Sequence, residues 1–236
     1  MRYLFVHAHP DDETLSTGAI IAGLVAQGDD GLVLTATRGE MGQAVAGSLP
    51  PGVELATVRT AERARALVAL GAIDAGWLGD PPNRADRRRA IPRIYRDSGM
   101  EWIEPGIAGP SPQAAPDSLC RADLDEVVAD LVAATQYHRP DALVSYDRTG
   151  GYGHPDHVRC HEATSRTALE LGLPFFEIVT DPHLATNWYD LSHQPTAVLE
   201  AHQSYSTQFV VDGDQVIHVG GQSEQIRYAA GLRLSS

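Results

Sequence analysis

Two short stretches concentrate chemistry-capable side chains in this 236-residue sequence. Residues 6–14 read VHAHPDDET and residues 151–158 read GYGHPDHV. Each follows an apolar run, Tyr3 to Val6 and Ala142 to Tyr146, and each contains His-Pro-Asp. Proline suits the first position of a helix, where its missing N–H would be unpaired anyway. A strand–His-Pro-Asp–helix turn therefore needs no chemistry to explain its proline. The neighbouring residues ask for more. His9 and Asp12 are three apart and can converge on one point from a first helical turn, and His154 and His157 share that spacing. An imidazole, a carboxylate and a second imidazole make a three-ligand set that leaves one zinc position open. Asp11 is then a spare carboxylate beside Asp12, placed to act as general base for a metal-activated water. Attack on a carbonyl creates an oxyanion that needs donors, and His154 and Tyr152 are of the right type, with Asp156 expected to hold His154 in its cationic form. One histidine near a helix start is more often a cap or a surface residue. Two such turns at equivalent edges of one sheet favour a metal site.

The elements that would position these turns follow from the apolar pattern. Tyr3–Ala8, Leu32–Thr37, Ala75–Leu78, Ala142–Tyr146 and Phe175–Val179 read as buried parallel strands. Thr57–Leu70 reads as a helix with Val58, Ala61, Ala64, Leu67 and Val68 on its inner face and Arg59, Glu62, Arg63 and Arg65 mostly off it. A second helix carries Leu124, Val127, Val128, Leu131 and Val132, with Asp117 or Ser118 as N-cap. Strand alternating with helix implies a doubly wound, mostly parallel α/β sheet with helices on both faces, in which ligands bind outside the carboxyl ends of the strands. Both His-Pro-Asp turns fall there. Residues 79–116, rich in Pro, Gly and Arg, are too long for a plain connector, and their first half is expected to form a lid over the site. Arg87–Arg89 within it read as a solvated face. Residues 184–236 read as a C-terminal cap: a helix near Pro195–His202, a hairpin turning at Asp212–Asp214 and a last short helix. Nothing marks a second domain, so 1–236 is expected to be one.

Composition narrows the function. A formal charge of −13 argues against a nucleic-acid partner, whose phosphates it would repel. No apolar run approaches the roughly 20 residues that cross a membrane. The apolar stretch after Arg2 is too short for a signal peptide, so the cytoplasm is the expected compartment. Cys120 and Cys160 suit a reducing compartment and offer no paired-thiolate metal spacing. All 18 basic residues are arginine, which excludes a Schiff-base or P-loop lysine. No G-x-G-x-x-G follows the first strand, so dinucleotide binding is disfavoured. The other polar residues have quieter readings: His7 as buried support, His138 as a cation at a helix end, His161 as exposed or behind a ligand, and Glu13 as orienting a ligand histidine or favouring the helix start.

AHPDDE at 8–13 followed at a distance by GYGHPDH at 151–157 resembles the zinc-dependent N-acetylglucosaminyl deacetylases, the family of lipid-anchor GlcNAc deacetylases and LmbE-like proteins. The resemblance runs from residue 3 to about 180. It implies a Rossmann-like fold and one zinc per chain on His9, Asp12 and His157, with Fe2+ an alternative in cells because similar ligand sets accept both. It implies Asp11 as the base, His154 and Tyr152 as oxyanion donors, and Asp156 as the partner of His154. YRDSGM at 95–100 and YDRTGGYGHPDH at 146–157 lean toward the mycothiol branch, its deacetylase and S-conjugate amidase, and imply Arg59 and Asp97 on sugar hydroxyls with Met100 lining the pocket. The pattern K…AL..H.SQ of relatives survives here only as AVLEAHQSYS, without the lysine and with Tyr205 where glutamine is common, and His202 is expected to reach the site. The expected activity is removal of an N-acyl group, an acetyl first of all, from a small amino-sugar molecule. A larger-amide or natural-product amidase is the rival within amide hydrolysis, and an inactive metal-binding scaffold is the rival of another class. Retention of Asp11, which no ligand set requires, argues against the scaffold. No nucleic-acid or membrane partner is expected, and a homo-oligomer is compatible with the sequence.

Overall fold

The computed structural model describes residues 1–86 and 91–235, so the expectation for Arg87–Arg89 lies outside the described residues. The chain opens with β1 (Arg2–His7), α1 (Asp12–Leu15), α2 (Gly18–Ala26), β2 (Asp30–Thr35), α3 (Leu55–Leu70) and β3 (Ile73–Trp77). A hairpin of β4 (Met100–Glu104) and β5 (Ile107–Pro110) follows, then α4 (Leu124–His138), β6 (Ala142–Ser145), the single turn α5 (Gly150–Gly153), α6 (Pro155–Leu171) and β7 (Phe175–Val179). The remainder holds β8 (Asn187–Asp190), α7 (Thr196–Gln203), β9 (Phe209–Asp212), β10 (Gln215–His218), β11 (Ser223–Gln225) and β12 (Ala229–Leu234).

Seven strands form the central sheet in the order β3-β2-β1-β6-β7-β12-β8. The first five run parallel, and β12 is antiparallel to both β7 and β8. Alternation along β1 sends Tyr3 and Phe5 into a core shared with α2, α3 and α7, and Leu4 and Val6 into a second core shared with α4 and α6. Both faces are thus covered, which is why the parallel strands read as continuous apolar runs. From β1 the chain steps outward to β2 and β3, then returns to β6 on the other side of β1. The reversal opens a crevice at the carboxyl ends of β1 and β6, where such sheets bind ligands. Both His-Pro-Asp turns leave from those two ends.

Three expectations need correction. In α3 the inward face joins Arg59, Glu62 and Arg63 to Ala66, Leu67 and Leu70, so Leu67 lies inward as expected, whereas Ala61 and Ala64 are exposed and Val68 is 81% exposed. Arg63 donates to Thr35 Oγ1 (2.7 Å), Val33 O (3.0 Å) and Asp74 Oδ1 (2.9 Å), and Glu62 accepts from Thr207 N (2.8 Å), so burial leaves these polar groups partnered. The cap of α4 is Asp123, accepting from Asp125 N at 2.8 Å, while Ser118 precedes a short 3-10 turn, Leu119–Arg121. The last expected helix is strand β12. Its Ala and Leu favour helices in isolation, but tertiary pairing overrides propensity. At Gly231 an added Cβ would lie 2.7 Å from Ala185 Cβ, so the strand can approach its neighbours only with glycine there. The helix over 196–203 and the hairpin through Gly213, with Asp212 paired to Gln215, follow the expected pattern. Among the described residues no helix is long and apolar enough to cross a membrane.

Candidate metal centre and active site

β1 ends at His7, and after four intervening residues α1 begins at Asp12. Between them the chain turns so that His9, Asp11 and Asp12 face the crevice beside α6. The Asp12 carboxylate accepts from His9 N (2.8 Å) and from the Tyr146 hydroxyl (2.7 Å). Tyr146, just past β6, also accepts from Ala8 N (2.9 Å), and its ring stacks on His157 at 4.0 Å and 8°. One tyrosine therefore ties both motifs together. The sequence reading passed over it; its signal was a polar-tipped aromatic at the carboxyl end of the strand adjoining β1.

Asp12 lies between the two expected ligand histidines, with Oδ2 3.3 Å from His9 Nδ1 and Oδ1 3.3 Å from His157 Nε2. His157 Nδ1 lies 3.2 Å from the Gly150 carbonyl, an acceptor, so that nitrogen carries the proton. In the neutral ring, Nε2 is then a lone pair. It is buried, has no hydrogen-bond partner and faces a carboxylate oxygen. A proton or a metal cation can bridge two acceptors held that close, and this donor set suits zinc or iron. His9, His154 and His157 can also each offer a nitrogen within 4.8 Å of the others. Burial works against the Asp12 carboxylate, yet His157 and His9 hold its pKa well below the ordinary range. Burial likewise disfavours charge on His9, but Asp97, Asp12 and Asp156 raise its pKa well above the usual value.

The Asp156 carboxylate has different partners from those expected. Its Oδ2 lies 3.2 Å from His9 Nε2 and accepts from Ser98 N (2.9 Å), and its Oδ1 takes the Ser98 hydroxyl. It orients His9 so that Nδ1 faces Asp12, the arrangement of carboxylates behind metal-bound histidines. His154 is instead the N-cap of α6, its Nδ1 accepting from Asp156 N at 3.2 Å. Burial, with His9 and His157 nearby, lowers its pKa to about 2. The expectation of a cationic His154 held by Asp156 is thus replaced by a neutral ring that keeps an Nε2–H to donate. Ser98, inside the RDSGM stretch, was also missed; only its place beside Asp97 hinted at it.

Asp11 is half-buried and has a φ of 112°, one of two non-glycine residues with positive φ among the described residues. Burial, and then the neighbouring Asp12 charge, push its carboxyl well above the ordinary range. Tyr152 is 41% exposed, with its ring 5.3 Å from His157, 6.1 Å from His154 and 5.8 Å from Trp102 of β4. The 79–116 stretch therefore reaches the site through the hairpin of its second half as well as through Asp97 and Ser98 just before it. Gly153 (φ 89°) permits this approach, since a Cβ there would meet Ala108 O at 2.8 Å.

The residues expected to meet sugar have protein partners. Arg59 is buried and donates to Gly39 O and Gln43 O, while its Nε finds none. Asp97 accepts from Gly99 N (2.8 Å) and Met41 N (3.2 Å), with Oδ1 3.6 Å from His9 Nε2. Glu40 accepts from Asp97 N at 3.2 Å and leaves Oε2 buried without a partner, a residue the sequence reading did not single out. Met100 opens β4 opposite Pro110 and is half-buried. His202 does not reach the cluster: its Nδ1 bonds Val198 O (2.7 Å) within α7 and its ring packs 6.0 Å from Phe209. Glu13 orients no ligand histidine; its carboxylate takes Asp11 N, Thr14 Oγ1 and the Tyr205 hydroxyl. His7 is buried against Thr17 Oγ1 (2.9 Å), and burial lowers its pKa to about 4. His138 meets Asn83 Oδ1 (2.9 Å), and His161 meets Tyr146 O (2.9 Å).

The family model for GlcNAc-PI de-N-acetylase matches residues 4–168. The 1D-myo-inositol 2-acetamido-2-deoxy-alpha-D-glucopyranoside deacetylase of Kineococcus radiotolerans is 46% identical over 174 residues, covering 71% of this chain and 45% of the relative. The chain spans about half the length of the curated relatives it matches. Among solved structures, the N,N'-diacetylchitobiose deacetylase of Pyrococcus horikoshii superposes with a TM-score of 0.62 at 20% identity, over 99% of this chain and 83% of that one. The 4-carboxy-2-hydroxymuconate hydratase of Pseudomonas putida superposes over 100% of this chain and 96% of its own, with a TM-score of 0.57 at 16% identity. A hydratase and a deacetylase share this fold, so the fold alone does not name the reaction.

Proposed function

The chain belongs to the GlcNAc-PI de-N-acetylase family, and from that premise we propose that it hydrolyses the N-acetyl group of a small amino-sugar glycoside. The observation that carries the reading is the Asp12 carboxylate set between His9 Nδ1 and a partnerless His157 Nε2, with Asp11 beside it. His9, Asp12 and His157 would hold one zinc. Bound there, zinc supplies a Lewis acid that lowers the pKa of water and polarises the amide carbonyl. Asp11 takes the proton of the attacking water and returns it to the departing amine. His154 Nε2–H and the Tyr152 hydroxyl donate to the oxygen that gains charge, a role a neutral imidazole fills as a hydrogen-bond donor. Arg59 and Asp97 border this group, and Asp97 can accept a sugar hydroxyl besides its protein partners. The 46%-identical relative is named for an inositol-linked N-acetylglucosamine, which supports that glycoside as the first substrate to try. The place of β8 and β12 in the central sheet supports treating 1–236 as one domain.

Release of free amine from N-acetylglucosaminyl-inositol, N-acetylglucosamine and a thiol-conjugate amide, with zinc added, tests the reading. Turnover is expected on the inositol glycoside. Zinc-loaded protein that turns over none of the three would overturn it.

A further inference from the structure

The peptide unit between Pro10 and Asp11 is held at both ends. Its carbonyl, Pro10 O, accepts a hydrogen bond from the Gln208 side-chain amide. Its N–H, that of Asp11, donates to Glu13 Oε2 at 3.2 Å. Glu13 is in turn fixed through Oε1 by the Tyr205 hydroxyl at 2.6 Å, and both Glu13 and Tyr205 are fully buried. The one plane whose rotation sets the φ of Asp11 is therefore braced twice from the same four-residue segment, 205–208.

That segment is itself anchored. Thr207 donates from N (2.8 Å) and Oγ1 (2.5 Å) to Glu62 of α3, Ser206 Oγ reaches Glu62 Oε1 at 3.1 Å, and Thr207 O accepts from Val45 N at 2.9 Å. Asp11 needs such a brace. An aspartate at φ 112° is strained, and strain of that kind persists only where the surroundings over-determine it. Released, the residue would relax toward negative φ and carry its Cβ and carboxylate to a new direction. The segment lies beyond residues 4–168, so the family match does not speak for it.

We propose that Tyr205 and Gln208 are positioning residues that clamp the Pro10–Asp11 peptide plane and so aim the Asp11 carboxylate. The proposal rests on Asp11 being the base, as in the reading above. Neither side chain touches the metal cluster; each acts through a backbone plane.

The test uses the full chain with Tyr205→Phe, which removes one oxygen and keeps the ring beside Phe209 (6.1 Å), and with Gln208→Ala. In each variant kcat is expected to fall roughly 10- to 100-fold, the scale set by misplacing a catalytic group by about 1 Å. KM and zinc content should stay unchanged. Placed on top of Asp11→Asn, the same changes should alter the residual rate by less than about 2-fold, because there is no base left to aim. Equal losses with and without the Asp11 carboxylate would mean a general structural role and would overturn the proposal. Amide hydrogen exchange at Asp11 gives a readout free of turnover: it should quicken in Tyr205→Phe while the amides of β1 keep their protection. Unchanged Asp11 exchange in both variants would overturn the clamp even if the enzyme is active. A wild type without turnover but with the exchange response would sink the functional reading and leave the clamp standing.

Discussion

In the turn after β6, Pro155 is the first residue of α6, and the aspartate behind it is fully buried with its carboxylate held by Ser98 and His9. In the turn after β1, Pro10 stands outside the helix. The aspartate behind it sits at φ 112°, half-buried, and its carboxylate has no hydrogen-bond partner among the described residues. The tripeptide is the same in both places. What differs is where the helix begins. When it begins at the proline, the following aspartate turns inward and becomes a brace for a histidine. When it begins two residues later, at Asp12, the second aspartate is set between His9 and His157 and the first is left with a free carboxylate. On the proposed reading, a repeated motif yields a structural carboxylate in one copy and a reactive one in the other, through one change of backbone register.

The most drastic way to test this division is to remove the cation that the two turns are proposed to share. His157→Ala deletes the orphaned nitrogen that faces Asp12, and stoichiometric metal measured on the parent is expected to be lost, with amidohydrolysis falling to background. Metal analysis decides it: a variant that keeps one metal per chain would remove His157 from the ligand set and leave His154, the third member of the imidazole cluster, in its place.

The next two changes separate the aspartates. Asp11→Asn should keep its metal and lose about 10²–10⁴-fold in kcat, the usual contribution of a general base. Asp156→Asn should act through the metal instead, weakening its affinity about 10–100-fold as loss of a carboxylate behind a ligand histidine does. With zinc in excess, Asp156→Asn should recover most of its turnover and Asp11→Asn none. If excess zinc rescues Asp11→Asn, the comparison is reversed and Asp11 is a ligand.

Both turns were legible because their chemistry is local: ligand spacing, a proline at a helix start and a strand just before are all readable within ten residues. The crevice was legible too, since apolar runs alternating with helices imply a sheet whose ligands sit at its carboxyl edge. The missed residues act across the chain. Tyr146 grips Asp12 from 134 positions away, and Ser98 grips Asp156 from 58 away, and in neither case does the local pattern name the partner. The inner face of α3 was misread for the same reason. Arg63 and Glu62 looked solvated until Thr35 and Thr207, brought in by other elements, supplied their partners. Strand β12 was missed because pairing with β7 and β8, rather than its own Ala- and Leu-rich sequence, decides its conformation.

The smallest expected effect belongs to Asp97, where the sequence and the structure suggest different partners. The resemblance places its carboxylate on a sugar hydroxyl, whereas its oxygens accept from Gly99 and Met41 and one lies 3.6 Å from His9. Asp97→Ala leaves two backbone donors and one face of His9 without a partner, and an unpaired buried polar group costs roughly 1–3 kcal/mol. Stability should fall by about that much in denaturant unfolding, and kcat/KM by about one decade at roughly 1.4 kcal/mol per decade. The substrate series tells the two roles apart. If Asp97 braces His9 and the 38–50 loop, the loss is the same for the inositol glycoside and for a simple acetamide without the ring. If it holds the sugar, only the glycoside suffers. The distances favour equal losses, because both carboxylate oxygens are already engaged, Oδ1 by Gly99 N and Oδ2 by Met41 N.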